Sequence, residues 1–457
     1  MRPWAAVAVA STLAAGAALL LPVRASDDAP YAGESRPSPS RAYRAGEVIV
    51  AFRDGVDQPD MERVLRSGGA TGGRRSRFGP RVLAQLEPGL HVAEAVEWFS
   101  RMPGVAWAEP NGLLWVGQGA SFRPNDSLYR IQWNLTQINA ERTWAIQKGS
   151  PSVAVAVLDT GIAYEDYADP RTGQTFRRAP DWGETRFVPG YDFVDDDAHP
   201  NDDHGHGTHV ASTIAEATNN AIGVAGLAFG CALMPVKVAA ADGGATDFAM
   251  ADGIDYAAGY SDGGSRPVRV INISLGGEGF SQTVTSAIDR AIASGVLVVA
   301  SAGNTGGPVT FPANQPNVVA VGALDALKQK ADYSSTGPEL DLVAPGGDCK
   351  RDANGDGLRD CVYQQTFTEA VEAGRYDQFC YCGFAGTSMA APHVSAAAAL
   401  LFSQGFTDAV SVRTALEQTA ERLGGAPAGG RNDTFGNGLV QPAAALPGLG
   451  FNVGTKK

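Results

Sequence analysis

Positive charge is in short supply in this 457-residue chain: 36 lysines and arginines stand against 49 aspartates and glutamates, a net charge of -13. That balance leaves no basic stripe of the kind on which nucleic-acid binding rests. Long apolar runs are missing as well, except for one at the amino end, so no later segment is built to cross a bilayer. Cysteine is scarce; of five, Cys349, Cys361, Cys380 and Cys382 crowd into one region and Cys231 stands alone. No internal repeat is visible, and the zinc signature His-Glu-x-x-His does not occur. What remains is an ordinary globular composition, long enough for one large domain and a smaller one.

Residues 1–25 have the form of a secretory signal: Arg2, an apolar run from Trp4 to Leu21, and a small-residue site at Val23-Arg24-Ala25. Export permits disulfides, and no membrane association is expected once the signal is cut. Residues 26–45, rich in Pro, Ser, Arg and Ala, form a spacer. From 46 to 119 the pattern is strand (Glu47 to Phe52), helix (Gln58 to Ser67), strand (Val82 to Leu86), helix (Ala93 to Met102), strand (Val105 to Asn111), a compact α+β module with no evident catalytic pairing. Gly117 to Ser121 is an exposed, cleavable joint.

The large domain is expected over 120–449, followed by a tail at 450–457. Val153 to Leu158 is a continuous apolar run of the kind found in strands buried on both faces. Leu233 to Val238, Val268 to Ile273, Val296 to Ala300 and Val318 to Val321 repeat it, with helical stretches between. The fold class is therefore α/β: a mostly parallel sheet with helices on both faces.

Three stretches carry chemistry. Gly386-Thr387-Ser388 opens a run that is apolar all round, so Ser388 stands at the start of a buried helix, where free N–H groups and the dipole favour an anion. Read alone, the same serine is a helix N-cap. Asp159 ends the first buried strand, at the edge where open α/β sheets place their sites. Asp203 to Ala211 holds His204, His206 and His209; His206, between glycines just before a helix over 208–217, is the best general base, and His209 falls inside that helix as a structural residue. Serine catalysis needs a nucleophile, a base and an acid that orients the base, and Ser388, His206 and Asp159 supply those three. Asn304, after the strand ending at Ala300, offers a side-chain N–H₂ which, with the Ser388 backbone N–H, would form an oxyanion hole; in isolation it reads as a turn residue.

These motifs resemble those of the secreted subtilisin-like serine proteases. The matching segments are Val157 to Ile162, His206 to Ala211, Ile273 to Gly277, Ser301 to Asn304 and Gly386 to His393, in that order. The resemblance implies a secreted endopeptidase hydrolysing peptide bonds through an acyl-enzyme. It also implies that the module at 46–119 is an inhibitory propeptide, removed by the enzyme itself near residues 116–123. Substrate would add as a strand between Gly243-Gly244-Ala245 and Ser274-Leu275-Gly276. Ser301, Ala302 and Gly303 would line the primary specificity pocket and suit an apolar or medium-sized side chain. Expected partners are protein or peptide substrates and the chain's own propeptide; a monomer is expected, with no organic cofactor. A scaffold that has lost its catalysis and a zinc hydrolase are the rival readings, and the intact four positions weigh against the first.

Calcium is the metal implied. Asn220, Ile222 and Val224 match the family's calcium loop, with Asp126 and Asp181 as carboxylates; Asp192, Asp197 and Asn201 match a second site before the catalytic histidine. An insertion at 347–382 sets this chain apart. Within it Asp352, Asn354, Asp356 and Asp360 alternate as in an EF-hand loop, though Tyr363 stands where the closing Glu belongs. Its four cysteines allow three pairings. Joining Cys349 and Cys361 to Cys380 and Cys382 would staple the insertion to the strand before Ser388, and a Cys380–Cys382 bond is disfavoured. Cys231 is expected as a buried free thiol. Asn134-Leu135-Thr136 has the form of a glycosylation sequon.

Overall fold

In a computed structural model of the chain, residues 43–87, 90, 92–112, 121–259, 268–367, 376–424 and 431–446 are described. The signal segment, most of the spacer, the joint and the tail lie outside them. Two compact units divide near residue 119.

The smaller unit holds β1 (Tyr43–Phe52), α1 (Gln58–Ser67), β2 (Ala70–Arg75), β3 (Arg81–Leu86), α2 (Val92–Ser100) and β4 (Val105–Gly112). The strands form an antiparallel sheet in the order β2-β3-β1-β4. Val48, Val50 and Phe52 of β1 pack with Val82, Ala84, Leu86, Val92 and Phe99. Two features differ from the sequence reading. The first strand starts at Tyr43, inside the presumed spacer. An extra strand, β2, has the sequence Ala-Thr-Gly-Gly-Arg-Arg, with no apolar alternation to betray it; it lies on the sheet edge, where its exposed face needs no core residues.

The larger unit opens with two short helices, α3 (Trp133–Gln137) and α4 (Ala140–Trp144), separated by Asn139 in a left-handed conformation (φ 57°). There follow β5 (Ala154–Asp159), the short pairs β6 (Tyr167–Ala168) and β7 (Thr175–Phe176), then β8 (Arg186–Phe187) and β9 (Tyr191–Asp192). Next come α5 (His206–Ala215), β10 (Ala232–Lys237), α6 (Asp247–Ala257), β11 (Val268–Ile273), α7 (Gln282–Ala293), β12 (Leu297–Ser301), β13 (Val319–Leu324) and β14 (Leu340–Pro345). The chain ends with β15 (Val362–Thr366), β16 (Cys380–Phe384), α8 (Thr387–Ser403), α9 (Ala409–Thr419) and α10 (Pro442–Ala445).

The central sheet runs β14-β13-β12-β11-β5-β10-β8, with β9 also on β10, and its pairs are parallel. Every residue of β5, β10, β12, β13 and β14 is buried. Burying each Val or Leu side chain of such strands contributes about 1.5–3 kcal/mol. β14 escaped the sequence reading because Asp341 breaks its apolar run; the carboxylate is spent on Arg413 (2.7 Å) and the Ala320 N–H (2.9 Å). α8 packs against β11, β12, β13 and β14 with Met389 through Phe402 buried, as its largely apolar sequence requires.

The cysteine pairing corrects the expectation. Cys349 bonds Cys361, and Cys380 bonds Cys382. The Cα atoms of the second pair are 5.5 Å apart, inside the span a disulfide bridges. The insertion is tied to the strand before Ser388 by the antiparallel β15–β16 ladder instead. Cys231 is free and buried, as expected. Asn134 is fully buried, so its sequon is closed to glycosylation in the folded protein.

Candidate functional site

β5 lies between β11 and β10, at the point where the chain departs to opposite sides of the sheet. That switch point is where the strand ends of an open α/β sheet leave a crevice. Asp159, the last residue of β5, sits there without solvent exposure. His206 Nδ1–H donates to Asp159 Oδ1 over 2.7 Å, and the Thr160 N–H donates to the same oxygen over 2.8 Å. His206 is the first residue of α5 itself, not a residue ahead of it. Gly207 makes this approach possible, because a Cβ there would collide with the Gly161 carbonyl oxygen.

One residue missed in the sequence holds the arrangement together. Asp202, fully buried, accepts from Thr160 Oγ (2.8 Å), the N–H groups of His204 (3.0 Å) and Gly205 (2.8 Å), and both the N–H (2.9 Å) and hydroxyl (2.6 Å) of Thr208. It therefore clamps the start of α5 to the residue following Asp159. An aspartate just ahead of a helix is the signal that marks it. Burial disfavours the charged His206 ring. The Asp159 carboxylate, its hydrogen bond and the charge of Asp202 outweigh that and hold His206 above the ordinary histidine value.

The other histidines separate by environment. His209 Nε2–H donates to the Val362 carbonyl (3.0 Å) and the ring stacks on Phe384. Burial, then the nearby His206, push its pKa down to about 3, so it is a neutral structural group. His393 donates from Nδ1 to the Met389 carbonyl and accepts from Asn134 Nδ2 (2.9 Å); burial lowers it to about 4. His204 lies with its ring centroid 6.3 Å from that of His206, on the side towards Gly243.

Ser388 is the second residue of α8; the N-cap is Gly386, without a side-chain cap bond. Its hydroxyl donates to the Ser274 carbonyl over 2.9 Å. Pro392 lacks the N–H that would bond the Ser388 carbonyl four residues back, and Ser274 Oγ donates to that carbonyl instead (2.9 Å). Asn304 Oδ1 accepts from both the N–H and hydroxyl of Thr387, 2.9 Å each, which ties the amide to the first turn of α8. A Cβ on Gly386 would stand 3.4 Å from Asn304 Nδ2, 3.7 Å from Ser388 N and 3.8 Å from Asn304 Oδ1, so the Asn304 amide and the start of α8 lie close to Gly386. A serine at a helix start, a histidine held by a carboxylate and an amide beside the serine's turn are the residue types that serine catalysis uses.

Residues 150–438 match the model of the subtilase family, and residues 29–111 match the fervidolysin N-terminal prodomain. The chain belongs to the subtilase family. It is 36% identical over 386 residues to the thermophilic serine proteinase of a Bacillus species, covering 84% of each chain. With the alkaline elastase YaB of another Bacillus it shares 32% over 95% of this chain and 98% of that one. Thermitase of Thermoactinomyces vulgaris is 34% identical, over 66% of this chain and 94% of the relative. A solved protease structure from Pseudoalteromonas arctica matches with a TM-score of 0.58 and 31% identity, over 71% of this chain and 98% of its own. This subtilase is thus a serine proteinase, a hydrolase of peptide bonds, with a prodomain ahead of the catalytic unit.

The expected substrate segments flank β5. Gly243 (φ 81°), Gly244 and Ala245 follow β10, with Ala245 bridging Ala239; Ser274, Leu275 and Gly276 follow β11. Of the three pocket residues, Ser301 and Ala302 are buried and only Gly303 reaches solvent. The Gly303 N–H donates to Thr387 Oγ (3.2 Å), and a Cβ on Gly303 would press on Thr310 Oγ.

Among the described residues no three His, Cys, Asp or Glu side chains stand ready as a metal shell. At the first calcium position, however, the oxygen donors do gather. Asn220 Nδ2 donates to Asp181 Oδ1 (2.8 Å), the Val224 N–H to Asp181 Oδ2 (3.1 Å), and Asp126 accepts from the Asn219 and Asn220 N–H groups. The Ile222 N–H closes on Asn220 Oδ1 (2.8 Å). Burial raises the pKa of Asp126, Asp181 and, strongly, the fully buried Glu216 beside them, whose Oε2 has no partner. The donors fit a hard cation. Glu216 is a second residue missed, though a lone carboxylate directly after α5 is its signal. At the second position the fit fails. Asp197 pairs with Arg171, Asp192 accepts from the Val194 and Asp195 N–H groups, and Asn201 donates to Glu165. With Lys237 on Asp203 alongside, the chain supplies its own cations there.

Proposed function

We propose that this subtilase is a secreted endopeptidase in which Ser388 attacks the scissile carbonyl. His206 takes the serine proton and returns it to the leaving amine. Asp159 holds the ring in the Nδ1–H tautomer and offsets the imidazolium charge, and Asn304 Nδ2 and the Ser388 N–H receive the oxyanion. The acyl-enzyme is then hydrolysed. Substrate lies as an added strand between Gly243–Ala245 and Ser274–Gly276, its side chain at the cleaved bond directed towards Ser301–Gly303. The observation that supports this best is the 2.7 Å Asp159–His206 bond, in a chain that also sets Ser388 in the first turn of buried α8. Asp126, Asp181, Asn220, and the Ile222 and Val224 carbonyls would hold a structural calcium, which ties acidic segments together and takes no part in the chemistry.

A fluorophosphonate probe tests this. Folded protein freed of its prodomain should take up one label on Ser388. Ser388→Ala should take none and lose activity by an amount of the order of 10⁶ in kcat, the size known for the subtilisin nucleophile. Folded wild type that resists labelling sinks the reading.

A further inference from the structure

The loop between β14 and β15 is a separate structure from the active site, and it carries an unbalanced charge. Asp352 Oδ1 accepts from the N–H groups of Gly355 (2.8 Å) and Asp356 (3.2 Å), and Oδ2 from that of Gly357 (3.0 Å). Asn354 and Asp356 likewise bond the N–H groups of Asp356 and Leu358. Turns form such bonds unaided. Asp360 is different. It is wholly buried, its Oδ2 accepts from the Ala353 N–H across the loop (2.7 Å), and its Oδ1 has no partner. A buried carboxylate oxygen left unbonded is costly and calls for a missing ligand. Asp352 and Asp356 add like charge around it. The arginines at either end are engaged elsewhere: Arg351 with Asp348, and Arg359 with the Cys349 carbonyl.

We propose that Asp352, Asn354, Asp356 and Asp360, with the Leu358 carbonyl, bind one calcium ion. The donors are all oxygen, include three carboxylates, and sit on a loop pliant at Gly355 (φ 74°) and Gly357 (φ 87°), which suits calcium better than the small, rigidly octahedral magnesium. Tyr363 replaces the closing Glu of an EF-hand, so Asp360 becomes the buried anchor and water completes the shell. On binding, Asp352 and Asp356 turn from the loop N–H groups to the ion. The ion's place in the fold gives it a consequence. The Cys349–Cys361 disulfide closes the loop base, β15 starts at Val362, and its partner β16 runs into Gly386 and Ser388. Thr366 at the far end of β15 bonds the Gly205 carbonyl next to His206. Calcium here would steady the hairpin that touches both catalytic elements.

The experiment uses the full chain with Ser388→Ala, so that no self-digestion intrudes, stripped with EDTA and titrated with calcium in a calorimeter. Asp360→Asn and Asp352→Asn should each remove, or weaken at least tenfold, one equivalent of calcium. The remaining equivalents should bind as before, and the melting temperature in EDTA should not fall. Should Asp360→Asn fail to fold, the exposed Asp352→Asn decides alone. Unchanged stoichiometry and affinity in the folded variants overturn the proposal. The readout needs no hydrolysis, so this result and that of the labelling test stand or fall separately.

Discussion

At the scale of single residues, the site is governed by how charge is placed around one imidazole. His206 must be neutral to accept the serine proton, and its pKa is held above the ordinary histidine value of about 6.5. Activity should therefore be lost as pH falls through a value higher than that, and be gained as pH rises through it. Asp202 contributes to the raised value by its charge and to geometry by its five accepted bonds. Asp202→Asn keeps the size and removes the charge. We expect kcat/KM to fall by about 10- to 100-fold, since small displacements of a base are expensive. The acid limb of the pH–rate profile should also move to lower pH. A purely structural loss would lower the plateau and leave the limb where it was, so the profile separates the two. Asp159, His206, Ser388 and Asn304, the residues proposed for catalysis, could be singled out because each stands in a distinctive sequence setting. Asp202 was passed over because its only mark is its place just ahead of a helix, and three of its five bonds are to backbone N–H groups that any sequence possesses.

At the scale of elements, the sequence was most readable where periodicity and burial agree. The buried strands β5, β10, β11, β12 and β13 were visible as apolar runs, and their ends fell within a few residues of those found. β2, β14 and β15 were not, since glycine, an internal aspartate and a polar Gln-Gln-Thr run conceal them. The cysteine pairing failed for a related reason: without the β15–β16 ladder, nothing in the spacing says which sulfurs are neighbours. α8 carries a subtler feature. Pro392 denies the Ser388 carbonyl its helical bond, and Ser274 Oγ supplies the replacement. Ser274→Ala should cost about 1 kcal/mol by leaving that half-buried carbonyl without its side-chain partner. Pro392→Ala restores a helical N–H, so in the double variant most of the Ser274→Ala cost should vanish. A thermal double-mutant cycle in the Ser388→Ala background would read a coupling near 1 kcal/mol or more. Strict additivity would mean that Ser274 Oγ does not stand in for the missing bond.

At the scale of the whole molecule, the question is whether the two units of one chain are parted, and by what. The smaller unit matches a prodomain and has its own sheet and core. The larger unit contains all four proposed catalytic positions. If Ser388 is the nucleophile that separates them, the cut belongs near residues 116–123 and depends on that one hydroxyl. Intact mass and N-terminal sequencing of the exported product, for wild type and Ser388→Ala, read this directly. Wild type should begin near residue 120, and Ser388→Ala should retain residues 26–116 attached. Equal processing of both would assign the cut to another protease and leave hydrolysis to be shown on added substrate. No cut in either would make the smaller unit a permanent part of the protein, and its role as a removable inhibitor would have to be abandoned.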